Sequence, residues 1–289
     1  YEPGSDVKTY TMAVAIDKGV ASASDTFNNT DFIKVGDRTI SNAYKGVTGN
    51  ITYQTAMNWS LNTGFVTLGM RLGNGTEINT QARQTIYDYF HNRFKLGQLT
   101  GIELANESKG IVISPDNLDG NAVRYSNMTF GQGLDATMIQ VTAGFSAIIN
   151  GGNYFKPTMI AGEMVNGEFK QNQQVAPLQE GVVKRETSKE IRDMTVTARN
   201  FSFQGQDKPG YAIGGKTGTS QVIKNGQYVS DETVATYLGF GGSADNPEYV
   251  IMVSVSGDKK LFGGAAHAMP IFTEVSNWML DYLKLQPKG

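Results

Sequence analysis

Ser5 and Lys8 stand three positions apart near the start of the chain, and on a helix that spacing sets a hydroxyl beside an amine. A serine hydroxyl is a weak nucleophile until a neighbour takes its proton, and a lysine can take it only where its surroundings favour the neutral amine. The pair is a nucleophile and base in outline. Taken alone, it is also what an N-cap serine followed by a lysine on a solvated face would leave. Pro3-Gly4 predicts a turn that aims the Ser5 hydroxyl and backbone N–H at whatever cleft follows. Two further clusters hold side chains of the same chemical kind, Ser60-x-Asn62 and Lys216-Thr217-Gly218-Thr219. Thr217 and Thr219 offer hydroxyls that could hold a carboxylate, and Lys216 adds positive charge. Gly218 leaves room for a substrate backbone against a strand edge. Each also has an ordinary structural reading. Threonines favour strands, a lysine discourages edge-to-edge pairing, and a serine and an asparagine stop helices.

The totals narrow the field. With 289 residues the chain can form one large domain or two small ones and bury a substantial core. A net charge of -2 without any Lys/Arg-rich run argues against nucleic acid as a partner. No apolar run approaches the length that spans a bilayer, and the first residues do not read as a signal peptide. Cysteine is absent, which excludes disulfides, thiol nucleophiles and thiolate metal sites and fits an extracytoplasmic bacterial protein. His91 and His267 lie far apart and outside any metal-ligand spacing, so they read as surface or packing residues. Neither a metal nor a cofactor is expected.

The elements that must position these residues follow from periodicity. Ser5 to about Lys18 reads as a largely apolar, central helix closed by Gly19. Residues 21–50 read as loops with short extended pieces, and Thr52 to Asn62 as a helix with Ser60 and Asn62 at its end. Gly64 marks a kink or break before a second helical stretch, Phe65 to Leu72. Residues 80–95 are expected to be helical, followed by polar loops. Thr137 caps a helix to Asn150, ended by Gly151-Gly152, and another helix is expected around Ser188 to Ala198. The last hundred residues turn β-rich. Tyr211 to Ile223, Thr233 to Gly242 and Tyr249 to Gly257 are separated by Asn225-Gly226 and Asp245-Asn246-Pro247, the pattern of an antiparallel meander. Pro270 opens a final helix with Ile271, Val275, Trp278, Met279 and Tyr282 on one face. Helices, then sheet, then a covering helix indicate an α+β domain, with a helical part over about 20–150 and sheet plus C-terminal helix over about 205–289.

Together the three clusters and their flanks resemble the transpeptidase domain of the penicillin-binding proteins, which shares its fold with the serine β-lactamases. Tyr1-Glu2-Pro3-Gly4-Ser5, Phe130-Gly131-Gln132-Gly133, Asn150-Gly151-Gly152 and Gly214-Gly215-Lys216-Thr217-Gly218-Thr219 are similar to family segments in family order. The resemblance runs from the first residue to the final helix and is strongest to the monofunctional, class B branch. It implies Ser5 as nucleophile, Lys8 as base, and an oxyanion hole from the backbone N–H groups of Ser5 and Thr219. Ser60 would relay a proton to the leaving amine, Asn62 would hold Lys8 and a substrate amide, and Lys216 would lower the Lys8 pKa. Thr217, Gly218, Thr219 and Gln132 would contact substrate, while Gly131 and Gly133 make a tight turn.

The implied reaction is D,D-transpeptidation of D-Ala-D-Ala peptidoglycan stem peptides through a serine acyl-enzyme that β-lactams trap. Its rivals are a D,D-carboxypeptidase, a β-lactamase, a β-lactam sensor and a non-catalytic cell-wall scaffold. A β-lactamase is disfavoured because no deacylation glutamate stands out. Family members place two strands, a membrane anchor and usually a further domain ahead of the nucleophile. The resemblance therefore implies a three-stranded sheet here, with the N-terminal strands supplied from upstream or by another chain. It also implies an extracytoplasmic, membrane-attached setting among other cell-wall synthesis proteins.

Overall fold

The computed structural model describes residues 1–172, 176–243 and 245–288. A 3-10 turn, Gly4–Val7, leads straight into α1 (Lys8–Asp17). Two small antiparallel pairs follow, β1 (Thr26–Asn29) with β4 (Gly49–Thr52), enclosing β2 (Phe32–Val35) with β3 (Arg38–Ser41). Next come α2 (Tyr53–Trp59), α3 (Asn62–Arg71), α4 (Thr80–Tyr87), α5 (Ala122–Met128) and α6 (Met138–Ile149). A hairpin of β5 (Gly162–Val165) and β6 (Glu168–Gln171) precedes α7 (Arg185–Phe203). The chain closes with β7 (Ala212–Lys224), β8 (Gln227–Gly242), β9 (Pro247–Val255) and α8 (Met269–Tyr282). This is the expected α+β arrangement.

Helix α1 is apolar on all sides and sits at the centre, with Tyr10, Met12, Ala13, Val14 and Ala15 fully buried. Its polar side chains are satisfied within the protein. Thr9 donates to the Asp6 carbonyl at 2.7 Å and Thr11 to the Thr129 carbonyl at 2.7 Å. Asp17 accepts from the Lys184 backbone N–H at 2.6 Å and the Thr187 hydroxyl at 2.9 Å, so it serves the start of α7 as a capping carboxylate.

β7, β8 and β9 form an antiparallel meander in that order. Asn225 and Gly226 both have positive φ, 53° and 76°, as a tight hairpin turn between twisted strands requires. The inner face, with Leu238 and Phe240, joins the core around α1. The outer face, with Ile213, Ala235 and Tyr237, packs under Phe272 and Leu280 of α8. Buried Arg199 of α7 ties these layers together. Its guanidinium pairs with Asp207 at 2.6 and 2.7 Å and donates to the Tyr237 hydroxyl and to Thr273 of α8, both at 2.8 Å.

Several elements depart from the sequence pattern. The expected helix from Thr52 to Asn62 stops at Trp59, because Ser60 turns left-handed (φ 56°, ψ 44°) and ends α2. Asn62 therefore begins α3 rather than ending α2. Gly64 neither kinks nor breaks the chain. It lies inside α3, where a Cβ would come within 2.8 Å of Ala56 and 2.9 Å of Phe27. α5 falls in a region expected to be loop. On α8, Ile271, Val275, Trp278 and Tyr282 do share a face, but that face is turned to solvent. The sheet instead takes the row of Phe272, Ser276 and Leu280.

The opening residues are anchored by a distant loop. Gly4 (φ 65°) donates its N–H to the Gly131 carbonyl at 2.9 Å, and a Cβ on Gly131 (φ 96°) would fall 1.7 Å from the Gly4 carbonyl oxygen. Buried Glu2 accepts from Gly133 N–H at 2.7 Å and from the Tyr228 hydroxyl at 2.9 Å. The Gly131→Ala change should thus cost about 3 kcal/mol of unfolding free energy, from left-handed strain plus overlap with backbone. Gly167→Ala, at φ 86° in open space, should cost about 1–2 kcal/mol from strain alone. Denaturant titration compares them, and equal losses would show that the Gly4–Gly131 contact is not tight.

Candidate active site

Ser5 lies in the 3-10 turn, where side chains at i and i+3 eclipse, so the tight winding places Lys8 directly beside it. Lys8 Nζ is 2.9 Å from Ser5 Oγ. The left-handed Ser60 and the first residue of α3 then bring three more oxygens to the same amine. Lys8 Nζ lies 3.0 Å from Ser60 Oγ, 2.7 Å from the Ser60 carbonyl and 2.7 Å from Asn62 Oδ1. The Asn62 amide is oriented by its own NH₂, which donates to the Ser41 carbonyl at 2.9 Å. The Phe65 ring, its centroid 5.6 Å from Nζ, closes the apolar side.

The four neighbours suit a neutral amine. The Ser60 carbonyl and Asn62 Oδ1 can only accept, so each takes an N–H. The other two neighbours are hydroxyls, which can donate. A neutral amine therefore uses both N–H groups on carbonyl oxygens and presents its lone pair to a serine proton. Lys8 is fully buried, and burial, helped by the positive charge of Lys216, holds its pKa well below the usual lysine range. The arrangement can withdraw a proton from Ser5 and pass it to Ser60.

Strand β7 forms the opposite wall. Lys216, buried on the inner face, donates to the Thr217 carbonyl at 3.0 Å and the Thr217 hydroxyl at 3.3 Å. Thr217 and Thr219 lie at the open side of the strand, and Thr219 Oγ1 accepts from Gly264 N–H at 3.1 Å, leaving its own proton free. The turn and the strand abut, since a Cβ on Gly4 would lie 3.0 Å from the Thr219 carbonyl oxygen. Gly218 is also required by the packing behind it. Its missing side chain points inward, where a Cβ would meet the Thr236 hydroxyl at 2.1 Å and the Asp6 carboxyl at 3.0 Å.

A cleft of about 280 Å³ opens over these groups, lined by Gly4, Ser5, Ala43, Tyr44, Trp59, Ser60, Asn62, Phe130, Gln132, Thr217 and Thr219. It joins most of the residues singled out from sequence, with Lys8 and Lys216 buried beneath. Sequence reasoning missed its aromatic wall, where Tyr44 stacks on Trp59 with centroids 4.4 Å apart and rings 25° from parallel. It also missed Asp6, fully buried behind the nucleophile. A signal for Asp6 was available, an acid adjoining a serine at the mouth of an otherwise apolar helix. A larger groove of about 370 Å³ between α6 and β9 contains none of these residues. Among the described residues, no three His, Asp or Glu side chains cluster as metal ligands.

Residues 1–277 match the family described as the penicillin binding protein transpeptidase domain. The chain is 33% identical over 299 residues to Stage V sporulation protein D of Bacillus subtilis, spanning 100% of this chain and 43% of that protein. It is 29% identical to penicillin-binding protein PbpB of Mycobacterium tuberculosis, spanning 97% of this chain and 41% of that protein. It is 27% identical to PenA of Neisseria flavescens, named as a probable peptidoglycan D,D-transpeptidase, spanning 99% and 66%. The chain thus spans less than half the length of the first two relatives. Among solved structures, penicillin binding protein 3 of Mycobacterium tuberculosis complexed with aztreonam superposes with a TM-score of 0.83 at 28% identity, covering 100% of this chain and 64% of that one. A match across 277 of 289 residues, carried by the same fold, means that the chain belongs to the penicillin-binding protein transpeptidase domain family.

Proposed function

We propose that this domain is a serine D,D-transpeptidase that cross-links peptidoglycan stem peptides and is acylated by β-lactams. The observation that carries the reading is a buried lysine amine 2.9 Å from a serine hydroxyl, with a second serine hydroxyl at 3.0 Å. Relatives named for penicillin binding and D,D-transpeptidation support it, as does a structural neighbour carrying a β-lactam. The substrate's terminal carboxylate fits against the Thr217 and Thr219 hydroxyls beside the Lys216 charge. Lys8 takes the Ser5 proton as Oγ attacks the penultimate D-Ala carbonyl, and the Ser5 and Thr219 N–H groups receive the oxyanion. The proton then passes through Ser60 to the departing D-Ala nitrogen. An amine from a neighbouring stem attacks the ester, closes the cross-link and returns the proton by the same route. Asn62 and Gln132 hold the substrate amide. The site of action is extracytoplasmic, and a protein of the relatives' length would work among other cell-wall synthesis proteins.

No carboxylate lines the cleft, so no acidic base stands ready to activate water on the ester. This favours a persistent acyl-enzyme over a β-lactamase. A fluorescent penicillin should label the native protein covalently on a denaturing gel and leave Ser5→Ala unlabelled. A chromogenic β-lactam should be consumed in stoichiometric amount only. Sustained turnover, or equal label on Ser5→Ala, would overturn the reading.

Lys8→Arg cannot shed its proton, and acylation should fall by about 10²–10⁴-fold, the usual contribution of a positioned base. In the native protein the rate should rise with pH as Lys8 loses its proton. That acid-side limb should lie well below the ordinary lysine range, because burial lowers the Lys8 pKa. Stopped-flow acylation from acid to alkaline pH locates the limb, and a limb near the ordinary lysine value would exclude Lys8 as a desolvated base.

A further inference from the structure

Asp6 has no place in the scheme above, yet it adjoins Ser5 in the chain. It follows the nucleophile in the 3-10 turn and is completely removed from solvent. Among the described residues no hydrogen bond of ordinary geometry reaches either carboxylate oxygen; burial pushes the Asp6 carboxyl up to about 7, while the facing Thr236 hydroxyl and the Lys216 charge pull it down, so the acid is ionised from about neutral pH upward. Buried carboxylates almost always have partners, so this one calls for an explanation. Its position supplies one. Gly218 is the residue that lets the Asp6 carboxyl lie against β7 and β8, and Lys216 is two residues earlier on the same face of β7. Lys216 is buried too, and among the described residues its Nζ donates only to Thr217. Two lysines are thus buried around one nucleophile, each with neutral hydrogen-bond partners, and a single acid lies between the turn and the strand.

The other titratable groups that the Asp6 charge reaches are Tyr1 ahead of the turn, Tyr10 on α1 and Tyr237 on β8. Burial raises all three tyrosines, so they stay neutral through the working range. Burial lowers Lys216 while the Asp6 charge raises it. On Lys8 the acting charge is that of Lys216.

We propose that Asp6 is a positioning residue that keeps Lys216 in its ammonium form inside the protein, and so maintains the asymmetry of a charged Lys216 beside a neutral Lys8. Without the Asp6 charge, Lys216 would lose its proton at lower pH. The domain would then lose both the cation that receives a substrate carboxylate and the charge that suppresses protonation of Lys8. The proposal rests on the acyl-enzyme reading and specifies its electrostatics.

The test is the second-order rate of acylation by fluorescent penicillin across pH for native protein, Asp6→Asn, Lys216→Arg and the double variant. Absence of any native label would overturn the acyl-enzyme reading itself. With native label present, Asp6→Asn should move the alkaline limb down by about one pH unit or more, the size given by a charge beside a titrating group. The alkaline limb is the loss of the Lys216 proton, and arginine keeps its proton throughout, so Lys216→Arg should remove the limb from the working range and Asp6→Asn in that background should not bring it back. A uniform loss of rate with an unmoved limb would mark Asp6 as structural and overturn the proposal, as would the return of the limb in the arginine background. If Asp6→Asn does not fold, NMR of native protein carrying ¹³C-labelled lysine decides. Lys216 should show the ammonium shift at neutral pH and Lys8 the amine shift, and a neutral Lys216 there would overturn the proposal.

Discussion

A lysine taken out of water without a carboxylate against it sets the terms for the rest of this structure. Lys8 is wholly buried, and every oxygen within hydrogen-bond reach of it is neutral. An ammonium held that way would lose more hydration than neutral dipoles return, so the amine form is favoured. Supplying those dipoles makes local demands. Ser60 adopts a left-handed conformation that costs a non-glycine residue about 1–2 kcal/mol, and its carbonyl thereby points at Nζ. The same turn ends one helix and starts another, which puts Asn62 at a helix start with its amide steadied by Ser41. Local strain here is matched by the hydrogen bonds of the amine and the packing of α2 and α3.

The second demand is close approach. The turn bearing Ser5 must lie against both the loop at 131 and the strand at 218, and a methyl group at either position would overlap backbone or side-chain atoms. Glycine is used at these contacts for the space its missing Cβ leaves. The strand then carries two chemistries on its two faces. Lys216 is turned inward and desolvated, while Thr217 and Thr219 remain at the open side with hydroxyls available to a ligand.

Much of the site was legible in sequence because it depends on short covalent spacings. Ser5 and Lys8 three apart, Ser60 and Asn62 two apart, and the Lys216–Thr219 run fix relative placement whatever the surrounding fold does. The antiparallel meander was legible through Asn225-Gly226, whose turn chemistry is local. What was not legible depends on tertiary context. Periodicity found an apolar stripe on α8 but could not say which stripe meets the sheet, and the narrower row of Phe272, Ser276 and Leu280 is the one covered. Ser60 and Asn62 read as one helix end because the left-handed turn between two helices leaves no signature in residue type. Gly218 was assigned to substrate approach because the buried acid behind it comes from a segment more than two hundred residues earlier. The Tyr44–Trp59 wall was missed for the same reason, since its rings come from separate elements.

The Gly4–Gly131 contact also bears on how the domain acquires its activity. Ser5 and Lys8 can become neighbours as soon as one turn winds, within the shortest timescales of folding. Three of the four oxygens around Lys8 come from more than fifty residues away, the loop that holds Gly4 from more than a hundred, and the strand facing it from more than two hundred. Each closure is opposed by chain entropy until the packing that rewards it exists. Before those closures form, Lys8 would stand in water, where an ammonium is favoured and could not take the Ser5 proton. The burial that favours a neutral Lys8 is complete only when the most distant segments have met, so the electrostatics of the site are a property of the finished fold and not of the local turn.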